Sequence, residues 1–102
     1  MRVNIREGVA RMQPNVEIRK IRERYFNYGV SVALGDELYA RQGLRSMAEC
    51  LHDAATALGL SFPMATISYE GVVLGEYSIP TMEHDTVLLA KRLHVLLAET
   101  TE

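Results

Sequence analysis

Residues 26–34 alternate between apolar and small or polar side chains, and this repeat of two constrains the fold more than any other feature of the sequence. The apolar set consists of Phe26, Tyr28, Val30, Val32 and Leu34. Because successive side chains of a strand point to opposite faces, this spacing predicts a half-buried β-strand. Gly35-Asp36 closes the strand, and the following LYARQ can return antiparallel. The sequence therefore predicts a hairpin over residues 24–42.

A helix is predicted directly after this hairpin. Ser46 stands three residues before Glu49, which is the spacing of a capping box at a helix start. Gly59 then stands where a glycine commonly ends a helix. Between them, apolar residues recur at helical spacing: Met47, Cys50, Leu51, Ala54 and Leu58.

The tripeptide EGV occurs twice, at residues 7–9 and 70–72. In both places short alternating stretches flank a glycine that can adopt positive φ, as a tight hairpin turn requires. The second copy predicts a hairpin over residues 64–79. For residues 1–14 two interpretations stay open, an N-terminal hairpin or a flexible arm.

The last predicted element is a long helix that ends near Ala98. Glu83 and Asp85 stand where carboxylates favour a helix start. Leu88 and Val95, seven residues apart, form a second apolar strip that one core cannot easily use, so we expect these two side chains to form a partner interface. The main apolar stripe consists of Leu89, Ala90, Leu93, Leu96 and Leu97.

The order of these elements, paired strands, helix, hairpin and helix, predicts the fold class. We expect one α+β domain over residues 1–102, an antiparallel β-sheet with two α-helices packed on one face. A chain of 102 residues is long enough for a core that buries roughly two-thirds of the surface of the unfolded chain. Its 48% hydrophobic and 24% charged residues are typical of a folded domain and not of a disordered chain.

The stretch VEIRKIRERYF, residues 16–26, is ambiguous in structure and rich in positive charge. As a helix it places Ile18, Ile21 and Tyr25 on one face, whereas as a strand it places Val16 beside Ile18. Residues 1–24 hold seven basic and three acidic side chains, and the rest of the chain holds four and ten. Mixed charge of this density is typical of a solvated face, but it also permits contacts with phosphates from Arg19, Lys20, Arg22 and Arg24.

The sequence offers no pattern typical of an active site. The single cysteine, Cys50, lies on the apolar face of the predicted helix, which favours a place in the core. His52, His84 and His94 have no paired metal-ligand spacing. Phosphate loops, dinucleotide fingerprints and nucleophile elbows are absent from the sequence. We therefore expect no cofactor, no metal and no catalysis, although an active site assembled only by folding stays open.

Charged side chains interrupt the apolar stretch of residues 87–98, so it is too short to span a bilayer. The N-terminal sequence MRVNIREGVARM lacks the apolar run of a secretory signal. We therefore expect a cytoplasmic protein without a membrane partner.

Two segments carry a resemblance to a known family. YFNYGVSVALGDELYARQG followed by SMAECLHDAATALG resembles the hairpin-then-helix opening of HicB-type antitoxins. The resemblance covers residues 25–43 and 46–59, about a third of the chain, and implies no functional residue.

The function expected from these observations is a small non-catalytic interaction protein of the cytoplasm. It would act through self-association, as a homo-oligomer, or through a protein partner, with Leu88 and Val95 at the interface. The alternative is a nucleic-acid-associated regulator, antitoxin-like, that uses the basic segment 19–24.

Overall fold

The computed structural model describes residues 13–32, 37–59 and 61–100. Its strands form one five-stranded sheet in the order β3-β2-β1-β4-β5, which confirms the α+β class. In chain order the elements are β1 (Pro14–Arg22), β2 (Tyr25–Val32), β3 (Glu37–Leu44), α1 (Met47–Leu58), β4 (Met64–Tyr69), β5 (Val72–Ser78), α2 (Ile79–His84) and α3 (Thr86–Thr100).

The sheet is mixed, so the prediction of a purely antiparallel sheet is wrong. β1 and β4 run parallel, whereas the other three neighbouring pairs are antiparallel. The connection from β1 to β4 passes through β2, β3 and α1, and such a crossover allows a parallel pair, which a short hairpin loop does not. The described residues also contain three helices instead of two. That two helices pack on one face of the sheet stays a prediction.

The ambiguous stretch 16–26 forms the end of β1, a tight turn and the start of β2. Val16 pairs with Val30, and Ile18 pairs with Tyr28. All four side chains are buried. The apolar alternation of β2 therefore selects the strand conformation for β1, whose own sequence is equally compatible with a helix.

Capping of α1 follows the prediction at both ends, by Ser46 and by Gly59. The backbone N–H of Glu49 donates to Ser46 Oγ over 3.1 Å, and the Glu49 carboxylate accepts from the N–H of Arg45. The carboxylate thus reaches one residue further back than a capping box requires. Gly59 has φ −53° and ψ −30°. Gly59 therefore ends the helix as predicted, with a right-handed backbone instead of the left-handed one common at such glycines.

A short helix, α2, precedes the long helix α3 and is separated from it by a break at Asp85, where φ is −113° and ψ is 37°. Helical structure begins earlier than expected, because Ser78 accepts from the N–H of Thr81 and Pro80 lies in the first turn, where a missing N–H is tolerated. At the break, the Thr86 hydroxyl donates to the Met82 carbonyl oxygen over 2.6 Å. The predicted long helix is thus α3, which begins directly after Asp85, whereas the short helix α2 was not predicted.

The hairpin of β4 and β5 confirms the second EGV prediction. Glu70 and Gly71 have φ of 50° and 85°, the positive values that suit a two-residue hairpin turn. The first EGV, at residues 7–9, and the predicted turn at Gly35-Asp36 lie outside the described residues.

One hydrophobic core joins the sheet and the helices. Cys50 lies fully buried within it, as expected. Burial, followed by the nearby charges of Asp53 and Glu49, raises the pKa of its thiol to about 12. The other fully buried side chains include Val16, Ile18, Leu51, Ala54, Ile67, Met82 and Leu93.

Candidate functional site

The edges of the sheet are poorly suited to binding another strand. The pairing of β3 with β2 is irregular at two places, between Phe26 and Tyr28 and between Val30 and Ser31. The pairing of β5 with β4 is irregular near Ser68. Bulges bend an edge strand and interrupt its row of free backbone groups, which hinders pairing with a further strand. The helices and the faces of the sheet are therefore better suited to an interaction surface than its edges.

The outer strip of α3, defined here as Val87, Leu88 and Val95, is the largest group of exposed aliphatic side chains on one described element. Their exposed fractions are 61%, 69% and 57%. Successive residues of a helix are rotated by about 100° around its axis, so the side chains of Val87, Leu88 and Val95 all lie within an arc of about 100°. Leu89, Ala90 and Leu93 are buried in the core. The structure thus exposes both residues of the predicted interface, Leu88 and Val95, and adds Val87.

Charges alternate in sign along α2 and α3 beside this strip. Glu83 and Asp85 precede it, Lys91 and Arg92 lie in its middle, and Glu99 lies near its end. All except the half-buried Glu83 are exposed. Acidic, basic and acidic groups therefore follow each other along one surface.

The hairpin tip, defined here as residues 19–24 between β1 and β2, carries the predicted nucleic-acid residues. Arg19, Lys20, Arg22 and Arg24 are all exposed there. The Arg22 guanidinium lies over the Tyr25 ring, 4.4 Å from its centroid. Lys20 forms an ion pair of 3.1 Å with Glu23. The structure thus places all four predicted cations at one end of the hairpin of β1 and β2.

The tip adjoins a polar face of the sheet. On this face the Glu37 carboxylate lies over Gly29, in space that a Cβ at residue 29 would occupy. Beside it runs a shallow groove of about 410 Å³, lined among others by Glu17, Arg19, Asn27, Ser31, Glu37 and Gln42. The lining is mixed in charge, so the groove has no clear preference for an anion or a cation.

Sequence reasoning missed a polar network between β2, β3 and α1. The hydroxyl of Tyr28 donates to Asp53 Oδ2 over 2.6 Å, and Arg41 donates to Asp53 Oδ1 over 3.1 Å. Burial, then the hydrogen bond and charge of Asp53, raises the pKa of Tyr28 above its ordinary value, so the phenol stays protonated. Tyr28 occupies an apolar position of the β2 alternation, and no sequence signal indicates that its hydroxyl has a partner on α1.

This network ties the edge strand β3 to α1, so it can be tested through stability. Tyr28→Phe removes the hydrogen bond to Asp53 and keeps the ring. We expect the free energy of unfolding to fall by about 1.5 to 3 kcal/mol, the range for a hydrogen bond to a charged group, in urea titrations followed by circular dichroism. Tyr69→Phe is the control, since the Tyr69 hydroxyl has no hydrogen bond to any described residue. Equal losses in the two variants would contradict a specific role for the network.

The histidines do not converge on a site. His52 borders an open cleft of about 490 Å³ together with Glu49, Asp53 and Thr86. His84 lies 3.8 Å from Glu83, and His94 is exposed on α3. Within the described ranges, the histidines, cysteine and carboxylates form no group of three that could hold a metal ion.

Among the helices of the described residues, none has the length and apolar character needed to cross a membrane.

Comparisons with known proteins return no relative: no family model, no curated protein and no solved structure matches this chain. The resemblance to HicB-type antitoxins therefore depends on the order of the two quoted segments alone.

Proposed function

We propose that this chain is a small non-catalytic interaction protein of the cytoplasm that associates with a second copy of itself through the outer strip of α3. The observation that carries the proposal is the exposure of Val87, Leu88 and Val95 on one side of a helix whose other side lies in the core. Removing such aliphatic surface from water contributes about 25 cal/mol per Å². A solvated helix has no need for three aliphatic side chains on its outer face.

The proposal includes the packing of α1 and α3 on the same face of the sheet. Leu51 and Ala54 of α1 and Leu89 and Leu93 of α3 belong to the same core as Ile67 of β4. With this packing the outer strip points away from the sheet, where a second molecule can reach it.

A second copy, rather than a different protein, is supported by the charges beside the strip. In an antiparallel arrangement centred on Val95, Lys91 of one copy lies level with Glu99 of the other, because each is four residues from the centre. Centring on Leu88 instead places Lys91 level with Asp85. Both arrangements bring opposite charges together beside aliphatic contacts, and such complementarity favours association and fixes register.

One arrangement is disfavoured by the same reasoning. Placing Leu88 level with Val95 also places Lys91 level with Arg92, so four cations meet across the two copies. Like charges brought together at an interface oppose association. The registers centred on Val95 and on Leu88 are therefore favoured over this one.

The proposal is tested by sedimentation velocity and native mass spectrometry of the untagged protein. We expect an oligomer at tens of micromolar, and a monomer at that concentration would refute self-association. Lys91→Glu is expected to weaken the oligomer in either register. Adding Glu99→Lys should restore it in the register centred on Val95, and adding Asp85→Lys should restore it in the register centred on Leu88.

A further inference from the structure

We propose that the hairpin tip is a contact site for double-stranded DNA, which it enters as a two-stranded ribbon in the major groove. The inference does not depend on self-association, because the cations that carry it belong to one copy. Duplex B-DNA presents phosphates on both sides of a groove wide enough for a β-ribbon.

Cations lie on both faces of this ribbon. Directly opposite residues of an antiparallel pair share a face. Lys20 pairs with the buried Phe26 and lies on the core side, whereas Arg19 pairs with Asn27 and lies on the polar side. A ligand that carries anions on only one side would leave one of these faces unused.

A bulge brings a second arginine to the polar side. The pairing shifts between Lys20 and Arg22, so Ile21 has no partner and Arg22 lies opposite Tyr25. Because β2 alternates, Tyr25 shares its face with Asn27 and therefore with Arg19. Arg22 stacks on the Tyr25 ring, and this contact restricts the guanidinium before any ligand binds.

Arg24 supplies the fourth cation at the turn itself. Its φ of 61° lies in the left-handed region, which favours glycine. The turn therefore holds an arginine where a glycine would be less strained. An arginine contributes a charge and five N–H donors at the point of the ribbon, and a glycine contributes neither.

The acidic groups near the tip do not block it. Glu70 accepts from the backbone N–H of Lys20, and Glu17 accepts from the N–H of Gly71, so both carboxylates are held at the base of the tip. These two bonds also anchor the tip to the turn between β4 and β5. Glu23 is the one acidic residue within residues 19–24, and it pairs with Lys20. The tip thus keeps an excess of positive charge.

The choice of duplex DNA over other nucleic acids follows from the aromatic residues. A platform for single strands needs exposed rings on which bases stack. Phe26 and Tyr28 are buried, and Tyr25 is half-buried under Arg22. Duplex RNA is a poor match as well, because its major groove is deep and narrow.

The experiment is fluorescence anisotropy of the full chain with labelled DNA duplex, single-stranded DNA and duplex RNA, each about two helical turns long, over a range of salt. Three or four phosphate contacts predict a slope of log affinity against log salt between about −2.7 and −3.6 for duplex DNA. We expect Arg19→Gln with Arg22→Gln to reduce the magnitude of this slope by about 1.8. Arg24→Gly should reduce it by about 0.9, and this variant should fold readily because glycine suits the turn.

Arg45→Gln is the control for Arg24→Gly, since it removes one exposed cation from a position outside both the tip and the outer strip, and the mass of every variant is recorded so that a change in oligomer is not mistaken for lost binding. A slope unchanged in the control supports the proposal. The proposal is overturned by any of three results: no binding of duplex DNA at low salt, tighter binding of single strands or duplex RNA, or equal losses in the control and the tip variants.

Discussion

Glutamate at both Leu88 and Val95 is expected to convert the oligomer into a monomer that keeps its fold. Both side chains are more than half exposed, so in a single copy the substitutions place charge in water and change the free energy of unfolding by about 0.5 kcal/mol or less. In a symmetric pair the residue at the centre of either register meets its own copy, so two carboxylates would have to enter one apolar contact. Burying unpaired charge is strongly unfavourable. Sedimentation velocity should therefore show a monomer at every concentration at which the wild type is assembled.

The control for this variant is glutamate at two equally exposed aliphatic positions on the sheet edges, Leu38 and Val73, whose exposed fractions are 61% and 66%. It adds the same charge to surfaces that the proposal leaves in water. The control should remain oligomeric, and circular dichroism should give the same spectrum for both variants. An oligomer that survives Leu88→Glu with Val95→Glu, or that dissociates equally in the control, would place the interface elsewhere.

The sequence predicted those elements whose pattern depends on local spacing. The alternation of β2, the Ser46 cap and the EGV turn at Glu70-Gly71 are each determined within a few residues. The exposed positions of Leu88 and Val95 followed in the same way from the width of a helical stripe. A local pattern is sufficient to predict an element when the residues that determine it lie within a few positions of each other in the chain.

The features that the sequence did not predict depend on residues far apart in the chain. β1 lies parallel to β4 through pairs such as Val16 with Ile67, which no pattern within either strand specifies. The bond from Tyr28 to Asp53 joins a strand to a helix and replaces an expected purely apolar contact. Both outcomes require the tertiary arrangement. The short helix α2 differs, because its start is marked locally by the Ser78 cap and by Pro80 in the first turn.

The second large effect concerns the buried side of α3, where Leu93 is fully buried. Leu93→Ala is expected to lower the free energy of unfolding by about 2 to 5 kcal/mol, because it removes a buried side chain and leaves a cavity. For a domain whose whole stability is about 5 to 15 kcal/mol, this is a substantial fraction. The measurement is urea denaturation in the monomeric background of Leu88→Glu with Val95→Glu, since an oligomer would make the apparent stability depend on concentration.

Val87→Ala in that same background is the matched control, because it shortens an aliphatic side chain on the exposed side of the same helix. We expect it to change the free energy of unfolding by about 0.5 kcal/mol or less. The contrast between the two positions tests the assignment of faces on which the interface depends. If Leu93→Ala cost no more than the control, α3 would not be docked through Leu93, and the outer strip would have no fixed orientation. A large difference instead shows that α3 packs through Leu93 and leaves the outer strip on its opposite side, where the proposed second copy would bind.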